Sequence, residues 1–469
     1  MVRVLLVAAL LAGGCAAESR DVRPSFLIVV LDTTRRDAVS AYGAVQGTTP
    51  AFDALAAAGL LYGRAYAQAS WTLPSHATLF TGLESAAHGV SWERLWADEE
   101  LVMLAERLRD AGWQTVSVSE NPWITPHFNV TQGFDRITYT TDAVGEVPKW
   151  IAQRSDAPFF LFVNVFDAHH PYAVREQNRF LPSGSTAADA RAIPEDLESY
   201  FCRGAVRDPD QAKSLGVFRG LYLGDVNAAD AKLGQLRTML RDADLTRDLI
   251  TIVTSDHGEA FGEHDQVGHL VGVSEALARV PLVVHGAPSA APARLDAPVQ
   301  LADVYASVLA WAGLGEPPAG RRPLPLRAAP VAPARDVVVH WKDPAQVVGA
   351  SPSKQLSHAL RDGRERLAKL REACTAGQDL FGSRTAFIRL PWKLVLGPAD
   401  RARLYDVVRD PDERRDVAAA HADVVAALRG ALAEHQARQP PPPRTAATIP
   451  EPPADVRERL RALGYLDAP

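Results

Sequence analysis

The chain has 469 residues, 47% hydrophobic and 23% charged, which fits a globular protein with an ample core and excludes a disordered or fibrous one. Its net charge of −6, with no long basic run, argues against a nucleic-acid partner. The three cysteines include no pair at zinc-ligand spacing.

The N-terminus reads as an export signal. Arg3 precedes an apolar run from Val4 to Ala12, too short to span a bilayer as a mature helix, and Gly13-Gly14-Cys15 follows. Small residues directly before a cysteine resemble a bacterial lipoprotein signal. That resemblance implies cleavage before Cys15, diacylation of its thiol, and a membrane-anchored protein in the periplasm or on the cell surface. Ordinary cleavage near Ala16-Ala17 is the alternative. An oxidising compartment permits a disulfide between Cys202 and Cys374, and two separate thiols fit equally well.

Phe26 to Leu31 is a continuous apolar run, the pattern of a buried parallel strand. Asp32 stands at its carboxyl end, where open α/β sheets bind ligands. An Ala-rich helix runs from Thr49-Pro50 to Gly59. The stretch from Ser70 to Gly82 is a helix start, with Thr72 as N-cap, Pro74 in the first turn and Ala77, Leu79 and Phe80 behind. A hydroxyl there sits among unpaired N–H groups at the positive end of the helix dipole, a natural seat for an anion. Leu101 to Arg109 reads as an amphipathic helix. Gln114 to Val118 reads as a strand leading into Glu120-Asn121-Pro122. A second buried strand, Pro158 to Val165, closes on Phe166-Asp167-Ala168-His169-His170-Pro171-Tyr172.

The polar stretch Arg175 to Pro209 is expected to be a lid or substrate-facing insertion. The helix from Val217 to Leu240 turns Leu221, Val226, Leu233, Leu236 and Leu240 inward and leaves Asp225 and Asp230 on a solvated face. Leu249 to Thr254 is a third buried strand, ending in Ser255-Asp256-His257-Gly258-Glu259, with Gly268-His269 beyond. A Pro- and Ala-rich connection, Pro317 to Arg335, leads to short strands at Val337–Val339, Phe387–Arg389, Trp392–Leu396 and Leu404–Asp406, in which Lys393 reads as a strand residue. A helix from Val417 to Arg438, a tether at Pro440–Pro443 and a short helix from Val456 to Leu466 complete the chain.

Four stretches together resemble the sulfatase family of the alkaline phosphatase superfamily. They are Asp32-Thr33-Thr34-Arg35-Arg36-Asp37 with Tyr42-Gly43, Thr72-x-Pro74-Ser75 with Thr81-Gly82, Asp167-x-His169-x-Pro171-Tyr172, and Ser255-Asp256-His257-Gly258-Glu259. Trp392-Lys393-Leu394 and Leu404-Tyr405-Asp406 with Asp410-Pro411 match the family's ending. The chain departs from the pattern in four places. Thr72 stands where the family has Cys or Ser, His76 replaces an Arg, Thr33 replaces a usual second acid, and no Lys follows Val118. The resemblance implies an α/β fold: a large mixed, mostly parallel sheet flanked by helices, with a smaller C-terminal strand-and-helix region. The expected divisions are 1–15 signal and anchor, 22–330 catalytic domain, 331–438 C-terminal subdomain, and 439–469 tether and terminal helix.

The first and third strand ends and the helix start supply Asp32, Asp256, His257 and the Thr72 oxygen as expected ligands of one divalent cation. Manganese, calcium, zinc or magnesium all suit carboxylates with one imidazole, and Thr33 weakens an all-oxygen calcium cage. A dication beside Thr72 makes its hydroxyl easier to deprotonate. Thr72 would attack a tetrahedral ester in line, and His269 or His169 would protonate the leaving oxygen. Alternatively, His169 and His269 would join a second metal centre. Asn121 would replace a cationic contact with a neutral hydrogen bond. With His76 in place of Arg the site is less positive, which suits a monoanionic sulfate ester, phosphodiester or phosphonate monoester.

No formylglycine is expected, because the β-carbon of threonine carries a methyl. Threonine nucleophiles resemble those of nucleotide phosphodiesterases, lipoteichoic acid synthases and phosphoethanolamine transferases, which points toward phosphorus. The leading reading is a metal-dependent hydrolase of sulfate or phosphate esters. A phospho-group transferase to a lipid or glycan hydroxyl, and a non-catalytic binder of sulfated or phosphorylated glycans, are the alternatives. A complete metal site favours an enzyme.

Overall fold

The apolar run at Ser25–Leu31 forms the middle of an eight-stranded sheet. In the computed structural model, residues 23–44, 47–92, 94–193, 209–269, 271–318, 321–327, 335–342, 382–443 and 452–463 are described. The signal region with Cys15 lies outside them, as do Cys202, Cys374 and the end of the Arg175–Pro209 insertion.

From edge to edge the sheet runs Ala293–Leu295, Leu60–Tyr62, Leu282–His285, Leu249–Thr254, Ser25–Leu31, Phe159–Val165, Gln114–Ser119 and Arg136–Tyr139. The pairings are parallel except those of Leu282–His285, which runs against both of its neighbours. The middle strand is apolar at every position because both faces are covered. Phe26, Ile28 and Val30 join one core with Leu73, Ala77 and Phe80 of the Thr72–Thr81 helix and Val304 and Val308 of the Ala302–Ala312 helix. Leu27, Val29 and Leu31 join the other with Phe52 and Leu55 of the Pro50–Ala58 helix and Leu233, Leu236 and Leu240 of the Pro209–Asp242 helix.

That last helix corrects one expectation. Asp225 and Asp230 are buried rather than solvated. Asp230 accepts hydrogen bonds at 2.8 Å from the backbone N–H groups of Ala51 and Phe52, and so caps the start of the Pro50–Ala58 helix. Asp225 accepts from Ala173 N and pairs with Arg175. Helical spacing gives the angular position of a carboxylate but not the element that faces it.

The C-terminal strands Val337–Trp341, Arg384–Arg389, Trp392–Leu396 and Ala402–Asp406 form an antiparallel sheet. One face, with Val338, Phe387, Leu394 and Leu404, packs on Leu428 and Leu432 of the Ala422–Ala437 helix. The other face sends Val337, Val339, Trp341 and Ile388 into the main core. Lys393 lies in its strand as expected, with its ammonium buried between Glu275 at 3.1 Å and Glu413 at 2.8 Å.

Candidate active site

The functional side chains hang from the carboxyl ends of three neighbouring parallel strands, Ser25–Leu31, Phe159–Val165 and Leu249–Thr254, with Asn121 supplied after Gln114–Ser119. Asp32 extends the first strand, its N–H bonded to Val165 O at 2.9 Å. Thr33 then turns the chain with φ +57°. It stands where the family's second acid is usual and bridges the two carboxylates instead. Its Oγ1 donates to Asp32 Oδ1 at 2.9 Å, and its N–H donates to Asp256 Oδ1 at 3.0 Å.

Thr72 is placed by the Thr72–Thr81 helix, and here one detail is corrected. Trp71, with extended backbone (φ −155°), is the N-cap, and Thr72 is the first helical residue. The Thr72 hydroxyl is therefore not spent on capping the helix. Asn121 Nδ2 lies 3.3 Å from Thr72 Oγ1, and His257 Nε2 lies 3.4 Å from it. Ser75, one turn on, donates to Asp256 O at 2.6 Å and ties the helix to the third strand end.

Asp32, Asp256 and His257 each present a ligand atom within 4.8 Å of the others, all buried. The donor set fits a cation. His257 Nδ1–H donates to Gly258 O at 2.9 Å, which leaves Nε2 with a bare lone pair turned inward. Asp256 Oδ2 is buried with no hydrogen-bond partner among the described residues. His257 Nε2 lies 3.4 Å from it and His76 Nδ1 3.7 Å, and the latter donates to Thr72 O at 2.9 Å. Lone pairs thus converge where a dication would satisfy them. Gly258 is required at this turn, because a Cβ there would lie 2.0 Å from Ala276 O.

Burial acts on these groups in opposite directions. It would raise the Asp256 carboxyl, but the imidazoles of His257 and His76 and the Thr33 N–H hold it below its ordinary value. Burial holds His257 neutral, the form that ligates metals. His169 is pushed down to about 3 by burial and by the neighbouring His269.

His269 and His169 flank this cluster, with ring centres 4.4 Å from His257 to His269 and 5.0 Å from His269 to His169. Burial opposes charge on His269, but the carboxylate of Glu259, bonded to its Nδ1 at 3.0 Å, raises its proton affinity. The Tyr172 hydroxyl donates to the other oxygen of Glu259 at 2.9 Å. His169 stacks on Phe166 at 4.3 Å. His76 is fully buried against Phe162 and Phe80, behind Asp256. Asp167, at the same strand end as His169, turns away to pair with Lys232 at 2.6 Å.

Three contributors were not singled out from the sequence. Asn164 donates to Asp32 Oδ2 at 2.9 Å, beside Asn121 at 2.8 Å, and its signal was a lone amide inside an apolar strand. Glu259 and Tyr172 were visible within matched motifs, but their pairing with His269 joins three distant stretches. Among the described residues, Asp32, Asp256 and His257 are the group that meets the geometry of a metal cluster, and it does not include His169 or His269.

The sulfatase family model matches residues 24–314. An uncharacterized sulfatase, YidJ, of Escherichia coli (strain K12) is 22% identical over 63% of this chain and 69% of its own length. Arylsulfatase K of Bos taurus is 25% identical over 59% of this chain, which spans about half of that protein (51%). The crystal structure of the phosphonate monoester hydrolase of Agrobacterium radiobacter superposes with a TM-score of 0.68 at 21% identity, covering 89% of this chain and 96% of that one, and shows the fold to be shared. The chain belongs to the sulfatase family of ester hydrolases.

Proposed function

We infer that this protein hydrolyses monoanionic phosphate-type esters, phosphodiesters or phosphonate monoesters, through Thr72 in a one-metal site. The observation that carries this reading is the uncapped Thr72 hydroxyl beside a buried cluster of lone pairs. Asp32, Asp256, His257 and Thr72 Oγ1 would hold a divalent cation, which when bound supplies Lewis-acid charge that acidifies a neighbouring hydroxyl and neutralises ester oxygens. Manganese and zinc suit the set best, because Thr33 leaves it short of the carboxylates that a calcium cage needs.

Thr72 Oγ1, its proton passing to solvent, attacks the ester phosphorus, and the bond to the leaving oxygen breaks opposite it. Asn121 Nδ2 reaches both Asp32 and Thr72 Oγ1 and orients the nucleophile. The helix N-terminus faces the charge that builds on the equatorial oxygens. His269, held through Nδ1 by Glu259, donates a proton from Nε2 to the leaving oxygen. Water then attacks the phosphothreonine, which releases the acid and restores the hydroxyl. Phosphorus is favoured over sulfur because threonine cannot form the aldehyde through which family members expel sulfate. The name of the Agrobacterium radiobacter relative, a phosphonate monoester hydrolase, lends support.

The test is turnover of aryl sulfate, aryl phosphate, bis-aryl phosphate and aryl phosphonate esters with each of the four metals. Bis-aryl phosphate or aryl phosphonate should be cleaved fastest, and a phosphothreonine at residue 72 should be trapped on rapid quench. Aryl sulfate as the sole substrate, or full turnover by Thr72→Ala, would overturn the reading. Product formed only with an added lipid or glycan alcohol would assign transfer instead. We further propose that the protein is exported and anchored through Cys15. Cys15→Ser should move it from the membrane to the soluble fraction.

A further inference from the structure

A cavity of about 250 Å³ lies between the Arg35–Asp37 turn, the Ser274–Arg279 segment and the turn at Pro411–Glu413. None of Asp32, Thr72, Asp256 and His257 lines it, so it is separate from the site above. Two of its lining residues converge on Gly63, whose carbonyl oxygen accepts from Arg36 Nε at 3.0 Å and from Arg279 Nη2 at 2.7 Å. One acceptor therefore holds two guanidinium groups side by side, like charge against like charge. Burial and the charge of Arg279 push Arg36 down to about 10.

The carboxylates that line this cavity are engaged by other cations. Asp37 takes Arg35 on both oxygens at 2.7 Å and Arg219 at 3.2 Å. Glu263 takes Arg35 at 2.7 Å, Glu275 and Glu413 share Lys393, and Asp412 pairs with Arg414 at 2.8 Å. Arg36 forms no ion pair among the described residues, and the acid beside Arg279 is Glu275, at 3.8 Å. The second observation is independent of charge. Ser274 Oγ and Arg279 Nε are buried, and neither has a hydrogen-bond partner among the described residues. Ser274 stands at the N-cap of the Glu275–Ala278 helix, yet its hydroxyl makes no capping bond. Arg279 Nε–H can only donate, and a buried donor in that state calls for an acceptor.

We propose that this cavity binds a tetrahedral oxyanion, phosphate or sulfate, held by the Arg36 guanidinium, the Arg279 Nε–H and the Ser274 hydroxyl. A planar fork, a single N–H and a hydroxyl give donors in several directions, which match an anion with oxygens on every side. The anion also sets a negative charge beside two guanidinium groups that repel each other. The volume falls below the range for drug-sized ligands, which suits an ion of a few atoms. Anion binding here does not depend on Thr72.

The experiment is calorimetric titration of metal-stripped Asp256→Asn protein, full chain, whose catalytic centre is disabled, with sodium phosphate, sodium sulfate and, at equal ionic strength, sodium acetate. Phosphate or sulfate should bind with one equivalent per chain and more tightly than acetate, and their rank identifies the anion. Adding Arg36→Gln should weaken that binding at least about tenfold, and adding Ser274→Ala about fivefold. Ser274→Ala removes a hydroxyl with no partner among the described residues. It should therefore leave the melting temperature of the anion-free protein unchanged and diminish only the rise that the anion produces. In otherwise wild-type protein, Arg36→Gln should leave aryl-ester turnover unaltered. No saturable binding of phosphate or sulfate, or binding insensitive to Arg36→Gln, would overturn the proposal, as would acetate binding as tightly as both. A turnover loss parallel to the loss of anion binding would place the anion at the catalytic centre and likewise overturn it. Should Arg36→Gln fail to fold, Ser274→Ala decides alone, and unchanged affinity for the anion would overturn the proposal.

Discussion

Two of the buried polar clusters among the described residues differ in whether the protein completes them. Around Lys393, every charge has its opposite. The ammonium pairs with Glu275 and Glu413, Tyr66 OH donates to Glu275 at 3.2 Å, and the Glu275 N–H donates to Glu413 at 2.7 Å. Burial works against the Lys393 charge, but the two carboxylates more than offset it and raise its proton affinity. Around Asp256 the reverse holds. Asp256 Oδ2 has no donor among the described residues, and the lone pair of His257 Nε2 faces it and the Thr72 oxygen. A self-satisfied cluster holds structure together, whereas one left incomplete is built to receive something.

The largest way to break this comparison is at the proposed nucleophile. Thr72→Ala should lower kcat on the order of 10⁴-fold or more while leaving the fold intact, measured by steady-state turnover and circular dichroism. Asp256→Asn, or exhaustive chelation, should also remove activity, by about 10³-fold or more. Asp256→Asn should nevertheless raise the melting temperature of the metal-free protein, because it neutralises a buried charge that lacks a partner.

Lys393→Met should do the opposite. It strands Glu275 and Glu413 and should destabilise the fold by about 3–5 kcal/mol in denaturant unfolding, with kcat per folded molecule unchanged. Should Lys393→Met stabilise and Asp256→Asn destabilise the metal-free chain, the contrast between the clusters would be lost.

Acid should sharpen the same contrast. Glu413 is held down to about 2 because the nearby charges of Lys393 and His264 overcome its burial. Glu84 is likewise held down to about 2 by a hydrogen bond from His435 and the charge of Arg321, again against burial. Both carboxylates have folded-state values below their unfolded ones. Their contribution is therefore full above about pH 5 and is lost as pH falls toward 2, on the order of 3 kcal/mol per group. Melting temperature against pH should drop through that window, and Glu84→Gln should flatten the drop. The smallest effect belongs to a positioning residue. Glu259→Gln should slow turnover about 10- to 100-fold, with a loss that grows as the leaving group becomes more basic and vanishes for the most acidic phenols.

Much of the catalytic centre could be read from the chain because three apolar runs each end in a polar residue, and a parallel sheet brings such ends together. Asp32, Asp256 and His257 follow from that rule, whereas His269 was placed by the family resemblance, and its nearness to His169 was not legible from any run. What resisted reading was which side chain answers which. Thr72 resembled an N-cap by residue type, yet Trp71 takes the cap because the extended chain entering the helix fixes its first residue one step later. Asp225 and Asp230 lay on the polar side of a helical wheel, but that side meets the Pro50–Ala58 helix and the segment after His169. Asn164 was masked by the apolar residues around it. Each of these depends on a contact between stretches that no local pattern encodes.

The division of the proposed metal ligands along the chain has a consequence for how the centre would be loaded. The N–H of Thr33 bonds a carboxylate 223 residues further on, so the first half of the polypeptide carries only part of the coordination set. On the proposed ligand set, capture of an ion would wait until the last of the three central strands has docked. Sites of this kind take their metal from the surroundings in which folding finishes, so ion supply at that moment, as much as intrinsic affinity, decides what is bound.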